Sequence, residues 1–144
     1  MTTMERSIFI QAPVEALEDI TLDGSRLPEW YAGVERAEPD DVYPEPGGTV
    51  NMHYKAGGIS FDFQMTSLAL ERGRGGTYQM EGMISGTNTW EFAPEGDGTW
   101  VTASFEYEMP GGILGKAADK LVVERMNADN LEASLNNLKA LAEG

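Results

Sequence analysis

Residues 99–112 read TWVTASFEYEMPGG, and residues 113–142 read ILGKAADKLVVERMNADNLEASLNNLKALA. In the first stretch Val101, Ala103, Phe105, Tyr107 and Met109 alternate with Thr102, Ser104, Glu106 and Glu108. A two-residue period puts the apolar set on one face of a strand and the polar set on the other. After Pro110-Gly111-Gly112 the period changes. Leu114, Ala117, Leu121, Ala128, Leu131, Leu135, Leu138 and Ala142 fall near a 3.6-residue spacing, which predicts one long amphipathic helix from about Ile113 to Ala142. A single apolar stripe of that length can be buried only against the apolar face of a sheet.

Working back from this junction, the chain supplies the sheet. Residues 4–11 read as a first strand, ended by Ala12-Pro13. Residues 13–22 then read as a short helix, with Pro13 in its first turn, where a missing N–H costs nothing. A second short helix fits Ser25 to Tyr31, with Asp23 or Ser25 as its N-cap and Gly33 beyond its end. Strands are expected at 34–38, 49–55, 59–70, 77–83, 87–92 and 99–109. Val50, Met52 and Tyr54 share one face; so do Ile59, Phe61, Phe63 and Met65; so do Tyr78 and Met80, and Trp90 and Phe92. The turns are Ala56-Gly57-Gly58, Gly73-Arg74-Gly75-Gly76 and Glu95-Gly96-Asp97-Gly98. A break of alternation at 67–70 signals a bulge, which would reverse the facing of the residues beyond it. Strands with one wet face in hairpin succession form an antiparallel sheet. The class is therefore α+β, with seven strands, two short helices after the first, and a long C-terminal helix.

The 144 residues suit one domain spanning 1–144. Ten Lys and Arg stand against 24 Asp and Glu, a net charge of −14, which argues against nucleic acid or anionic membrane as a partner. There is no Cys, hence no disulfide and no thiolate chemistry. No apolar run is long enough for a membrane-spanning helix. The start, MTTMERSIFIQAP, lacks the pattern of a secretion signal, so a cytoplasmic location is expected, as a monomer or homodimer.

Several segments, in order, carry a resemblance. They are Ile10-Gln11-Ala12-Pro13, Asp23 through Trp30 (DGSRLPEW), Thr99-Trp100-Val101-Thr102 after a glycine hairpin, Glu108 through Gly115 (EMPGGILG), and Leu135-Asn136-Asn137-Leu138-Lys139. Over about residues 4 to 142 the chain resembles the START-like (SRPBCC) superfamily. That group includes the Bet v 1-like birch-pollen-allergen fold, the polyketide cyclases/dehydrases and the coenzyme Q-binding START proteins. The resemblance implies a helix-grip fold, a curved sheet wrapped around the long helix with an internal cavity, and a tryptophan at position 30 near the cavity rim. The chain departs from the group's pattern at Glu18 and Thr21, where apolar residues are usual, and in the polar run Glu124-Arg125-Met126-Asn127.

Motifs for chemistry are scarce. The sequence has no G-x-S-x-G, no phosphate-binding loop, no H-E-x-x-H and no dinucleotide fingerprint. His53, the sole histidine, alternates away from Met52 and Tyr54 and is expected on the wet face. Neither a metal site nor a cofactor is expected. Asp40-Asp41 and the other acidic pairs read as solvated turns.

The expected cavity wall is Trp30, Met52, Tyr54, Phe61, Phe63, Met65, Tyr78, Met80, Trp90, Phe92, Phe105, Tyr107, Met109, Leu121, Glu124, Asn127 and Ala128. The aromatic and methionine residues on the strand faces serve equally as ordinary core. Methionine suits a wall that adapts to varied ligands, and a tyrosine packs its ring while offering a hydroxyl. Glu124 falls on the expected helix stripe. It either reaches water at the helix edge or points into a wet cavity as an acid or base, and Tyr78 and Tyr107 are the other candidates for proton transfer. Three functions stay open: a carrier of a small hydrophobic molecule (lipid, quinone, isoprenoid or polyketide-like ring); a cyclase, dehydratase or isomerase; and a protein-interaction module with a filled interior. Enzyme activity is left undecided, leaning against.

Overall fold

The computed structural model describes residues 2–56, 59–108 and 117–144. Seven strands form one antiparallel sheet: β1 (Thr2–Ile10), β2 (Val34–Pro39), β3 (Thr49–Ala56), β4 (Ile59–Glu71), β5 (Gly75–Gly82), β6 (Ser85–Glu95) and β7 (Gly98–Glu108), in the order β1-β7-β6-β5-β4-β3-β2. Between β1 and β2 lie α1 (Val14–Thr21), a 3₁₀ turn (Gly24–Arg26) and α2 (Leu27–Trp30); α3 (Ala117–Glu143) ends the chain. This is the α+β arrangement expected from the period change, and the helix grip that the resemblance implies. Met109 and Leu114, placed on the cavity wall and the helix stripe above, lie outside the described residues. So do the side chains of Ile59 and Ala117.

Alternation drives the sheet. Val101, Ala103, Phe105 and Tyr107 on β7 are buried, whereas Trp100, Glu106 and Glu108 are exposed. The expected bulge is real: β4 and β5 pair in register to Ser67, then shift at Ala69, leaving Leu68 unpaired and exposed. One extra residue reverses the phase, so Leu70 returns to the inner face, which an uninterrupted strand would have denied it. The glycine turn is shorter than expected, because Gly75 and Gly76 already belong to β5, opposite Glu71 and Leu70. Gly75 has φ +122°, and a Cβ there would overlap the carbonyl oxygen of Trp90, so only glycine lets β5 and β6 close.

The short helices follow local rules. Asp23 caps the 3₁₀ turn, accepting the Ser25 N–H at 3.0 Å. Val14, Leu17, Ile20 and Thr21 form the buried face of α1. Along α3 the buried positions are Val123, Asn127, Leu131, Ser134, Leu135 and Leu138. The C-terminal half of the expected stripe matches. The N-terminal half is rotated: Leu121 is 67% exposed, Val122 is exposed, and Ala128 is only half-buried. Counting back from Leu131 in fours gives 127 and 123; counting 128, 124, 121 drifts onto the flank. The four-step face wins because Asn127 is fixed by tyrosine hydroxyls from the sheet.

The C-terminal half of α3 is stitched to its surroundings. Ala32 N–H donates to Ser134 Oγ (2.8 Å), and Asn137 Nδ2 donates to the Trp30 carbonyl (3.1 Å). Lys139 Nζ donates to the Phe9 carbonyl (3.0 Å), and Gln11 N–H donates to Glu143 Oε2 (2.7 Å). The segment after α2 and the open side of β1 are thereby held to one helix. Among the described residues no helix is long and apolar enough to cross a membrane.

Candidate functional site

Two chambers lie side by side between the sheet and the helices. The first is walled by Glu18, Thr21 and Leu22 at α1, Leu27, Trp30 and Tyr31 at α2, and Tyr43 from the β2–β3 connection. The sheet contributes Met65 and Leu70 from β4, Gly75, Gly76 and Tyr78 from β5, and Trp90 and Phe92 from β6. The second is walled by Met4, Tyr54, Phe63, Met80, Phe105 and Tyr107 of the sheet, by Ile84 of the β5–β6 turn, by Asn127, Asn130 and Leu131 of α3, and again by Tyr31. Counted to their openings they contain about 420 Å³ and about 370 Å³ of empty space. Much of that is crevice between side chains; as they stand, the first has room for about two water molecules and the second for one or two. Tyr31 stands in both walls and divides them.

Aromatic packing frames the first chamber. Trp30 meets Trp90 edge to face at 5.4 Å between ring centres, and Tyr31 lies 5.4 Å from Trp30 and 6.5 Å from Trp90. The two indoles differ in one respect. Trp90 Nε1 donates to Asn88 Oδ1 at 3.1 Å, whereas the buried Nε1 of Trp30 has no partner. The buried Oγ1 of Thr21 has none either. No hydrogen bond reaches the hydroxyls of Tyr31, Tyr43 or Tyr78 among the described residues. Burial raises the pKa of Tyr31 well above the ordinary phenol range and raises Tyr43 too; Tyr78 is pushed up to about 12 by burial, with the nearby Glu18 charge adding to it. All three are proton donors at neutral pH. Glu18 Oε2 accepts the Gly73 N–H at 2.7 Å, which fixes the carboxylate against the β4–β5 turn.

The second chamber is closed electrically. Tyr54 donates to Asn127 Oδ1 (3.2 Å) and accepts from Asn130 Nδ2 (3.0 Å), while Asn127 Nδ2 donates to the Tyr107 hydroxyl (3.0 Å). Burial raises both tyrosine pKa values, and the asparagine donors partly offset this.

The structure thus places Trp30, Met65, Tyr78, Trp90 and Phe92 in the first chamber. It places Tyr54, Phe63, Met80, Phe105, Tyr107 and Asn127 in the second. Met52 and Phe61 are buried outside both, the Phe61 ring packing tilted against Tyr54 with ring centres 5.5 Å apart. Leu121 is at the surface and Ala128 lines neither chamber, the consequence of the rotated helix face. Glu124 also lines neither. It sits half-buried at the helix flank, where Oε1 accepts from Thr2 Oγ1 at 2.7 Å. The chamber carboxylate is Glu18 instead. His53 lies on the outer face between Glu38 (2.9 Å) and Asp62 (2.6 Å), as its alternation required. Among the described residues no group of three acidic or histidine side chains is arranged to hold a metal. Sequence reasoning passed over Tyr31, Tyr43 and Asn130 as wall residues. Asn130 follows Asn127 by one helical step, and Tyr31 follows Trp30 directly; those were the available signals.

A family model described as polyketide cyclase/dehydrase and lipid transport matches residues 1–143. The chain belongs to that family. Solved structures with the same fold include TTHA0849 from Thermus thermophilus, at 23% identity and TM-score 0.81, covering 99% of this chain and 97% of that one. Another is the Zhui aromatase/cyclase from Streptomyces sp. R1128, at 16% identity and TM-score 0.79, with 99% and 93% covered. A third is the di-domain aromatase/cyclase BexL of the BE-7585A biosynthetic pathway, at 18% identity and TM-score 0.79. This chain spans 50% of that two-domain protein. At such identities the likeness is one of fold. No curated protein matches the sequence.

Proposed function

We propose that this family member binds a small, ring-bearing, largely apolar molecule between the sheet and the helices. The observation that carries the reading is the first chamber, an aromatic-lined space into which a well-packed core has admitted polar groups without partners. Ligand sites of this kind combine apolar walls with a few orienting polar atoms. The walls yield readily: Met65 in one chamber and Met80 in the other are unbranched and flexible, so a guest displaces side chains rather than backbone. Native mass spectrometry of the purified protein, followed by organic extraction, tests this. A stoichiometric apolar compound is expected; a protein that stays empty and takes up no apolar ring compound on titration overturns the reading.

A second reading, a cyclase or dehydratase, is favoured by one specific pairing. Tyr78, held protonated, and the Glu18 carboxylate share the first chamber, a donor and an acceptor for a carbonyl-bearing substrate. Equal turnover of a poly-ketone substrate by wild type and Tyr78→Phe would remove it.

A further inference from the structure

We propose that Glu18, Thr21 and Trp30 form a polar subsite at the α1 end of the first chamber, which takes the neutral hydroxyl-bearing end of an aromatic ligand and rejects a carboxylate there. The proposal rests on the binding reading above and specifies which end of the guest goes where, and which guests are excluded.

Three observations converge. Thr21 and Trp30 are 9% and 2% exposed, both line this chamber, and both carry a buried polar atom with no partner. An orphaned buried hydroxyl or indole N–H is costly and rare in a folded protein, so a guest that supplies an acceptor recovers what folding gave up. Trp30 Nε1 can only donate, and Thr21 Oγ1 donates or accepts. The guest must therefore present an acceptor atom, an oxygen or an unprotonated nitrogen.

Glu18 sets the sign. Its Oε2 is taken by Gly73 N–H, and Oε1 has no hydrogen bond among the described residues. An ionised carboxylate accepts only. A second carboxylate brought against it in this partly buried setting meets like-charge repulsion, whereas a hydroxyl hydrogen completes it. A ring hydroxyl satisfies both demands, accepting from Thr21 or Trp30 and donating to Glu18. The neighbouring walls, Trp30, Trp90 and Phe92, are flat, which suits a ring more than a chain. A simple fatty acid, with its anionic head, is the wrong guest for this end.

The test uses the full chain and two probes of one ring system, 2-naphthol and 2-naphthoate, titrated at neutral pH by calorimetry. Naphthol is expected to bind at least about tenfold more tightly. Glu18→Gln should shrink the preference several-fold, chiefly by admitting naphthoate. Glu15→Gln, which removes one exposed charge from the same helix, should leave the ratio unchanged. Thr21→Val should weaken naphthol while keeping naphthoate excluded. Equal affinities in the wild type, or equal responses to Glu18→Gln and Glu15→Gln, overturn the subsite while leaving the chamber a binding site. Failure of both probes, with no other ring compound bound, removes the binding reading and the subsite together. Matching thermal unfolding of the variants secures the comparison against misfolding.

Discussion

The two chambers share a dividing wall, the Tyr31 ring, and a similar size, yet they treat polar groups in opposite ways. In the second, Tyr54, Tyr107, Asn127 and Asn130 satisfy one another across the sheet–helix gap. In the first, Thr21 Oγ1 and Trp30 Nε1 are buried with nothing to bond. A fully connected network stiffens and specifies packing, whereas an incomplete one is a cost that folding alone does not recover. The difference teaches where to look for function in an apolar interior. The satisfied polar cluster ties the helix to the sheet, and the unsatisfied one is where the proposed guest would find partners.

Substitutions at matched positions put that contrast at risk. The largest effect is expected from Asn127→Leu. It deprives the Tyr54 hydroxyl of its acceptor and the Tyr107 hydroxyl of its donor, and should cost about 2–3 kcal/mol of stability in urea denaturation. A cost near zero would mean that the network is ornamental and that the chambers differ less than they look. Next comes Thr21→Val, which removes an orphaned hydroxyl from the first chamber. Stability of the ligand-free protein should rise by about 1 kcal/mol, with binding weakened as described above. A loss of comparable size would show that Thr21 is already satisfied, and the contrast would fail on its other side.

The smallest effect belongs to the outer face, which serves as the solvated reference. His53 is raised above its ordinary 6.5 chiefly by its hydrogen bond to Glu38, with Asp62 adding and Arg36 opposing. Glu38 is lowered, chiefly by His53. A raised histidine stabilises fully below the unfolded value near 6.5 and loses that contribution as pH climbs through the raised midpoint. The Glu38 share is lost at the other end, as pH falls through its depressed midpoint. An NMR titration should find the His53 midpoint above 6.5, and His53→Gln should flatten the pH dependence of unfolding in the window from 6.5 up to that raised midpoint. The change should be small, because exposed pairs are screened by water.

How much of this was legible in the sequence depends on which force decides each element. The strands announce themselves through alternation, as in β7, because one face is wet and one is dry. The bulge at Ser67 and Ala69 showed as a broken period. The N-terminal half of α3 was misread because apolarity alone does not locate a face when a hydrogen-bonded asparagine outcompetes a leucine. Leu121 and Val122 lie outside while Asn127 lies within. Glu18 and Thr21 stood out as departures from the expected pattern, but their meaning needed the third dimension. Only the fold brings α1 over the chamber that β5 and β6 also line, and only there does the Thr21 hydroxyl become a buried group without a partner. Tyr31 was invisible for the same reason, since its role is defined by having space on both sides.

The order of the sheet has one further consequence, at its two ends. An open sheet offers bare backbone groups to any extended chain that arrives, and neighbouring copies in a crowded solution are the commonest visitors. At one margin β2 is six residues long, irregular between Val34 and Arg36, and finished by Pro39, with Arg36 and Glu38 standing on it. At the other margin the last helix packs along β1 and bonds the end of its backbone, the Lys139 ammonium taking the Phe9 carbonyl and the Glu143 carboxylate taking the N–H of Gln11 just beyond. The long helix that walls the second chamber therefore also acts as a guard rail at the β1 margin, in the way of another strand that would pair there.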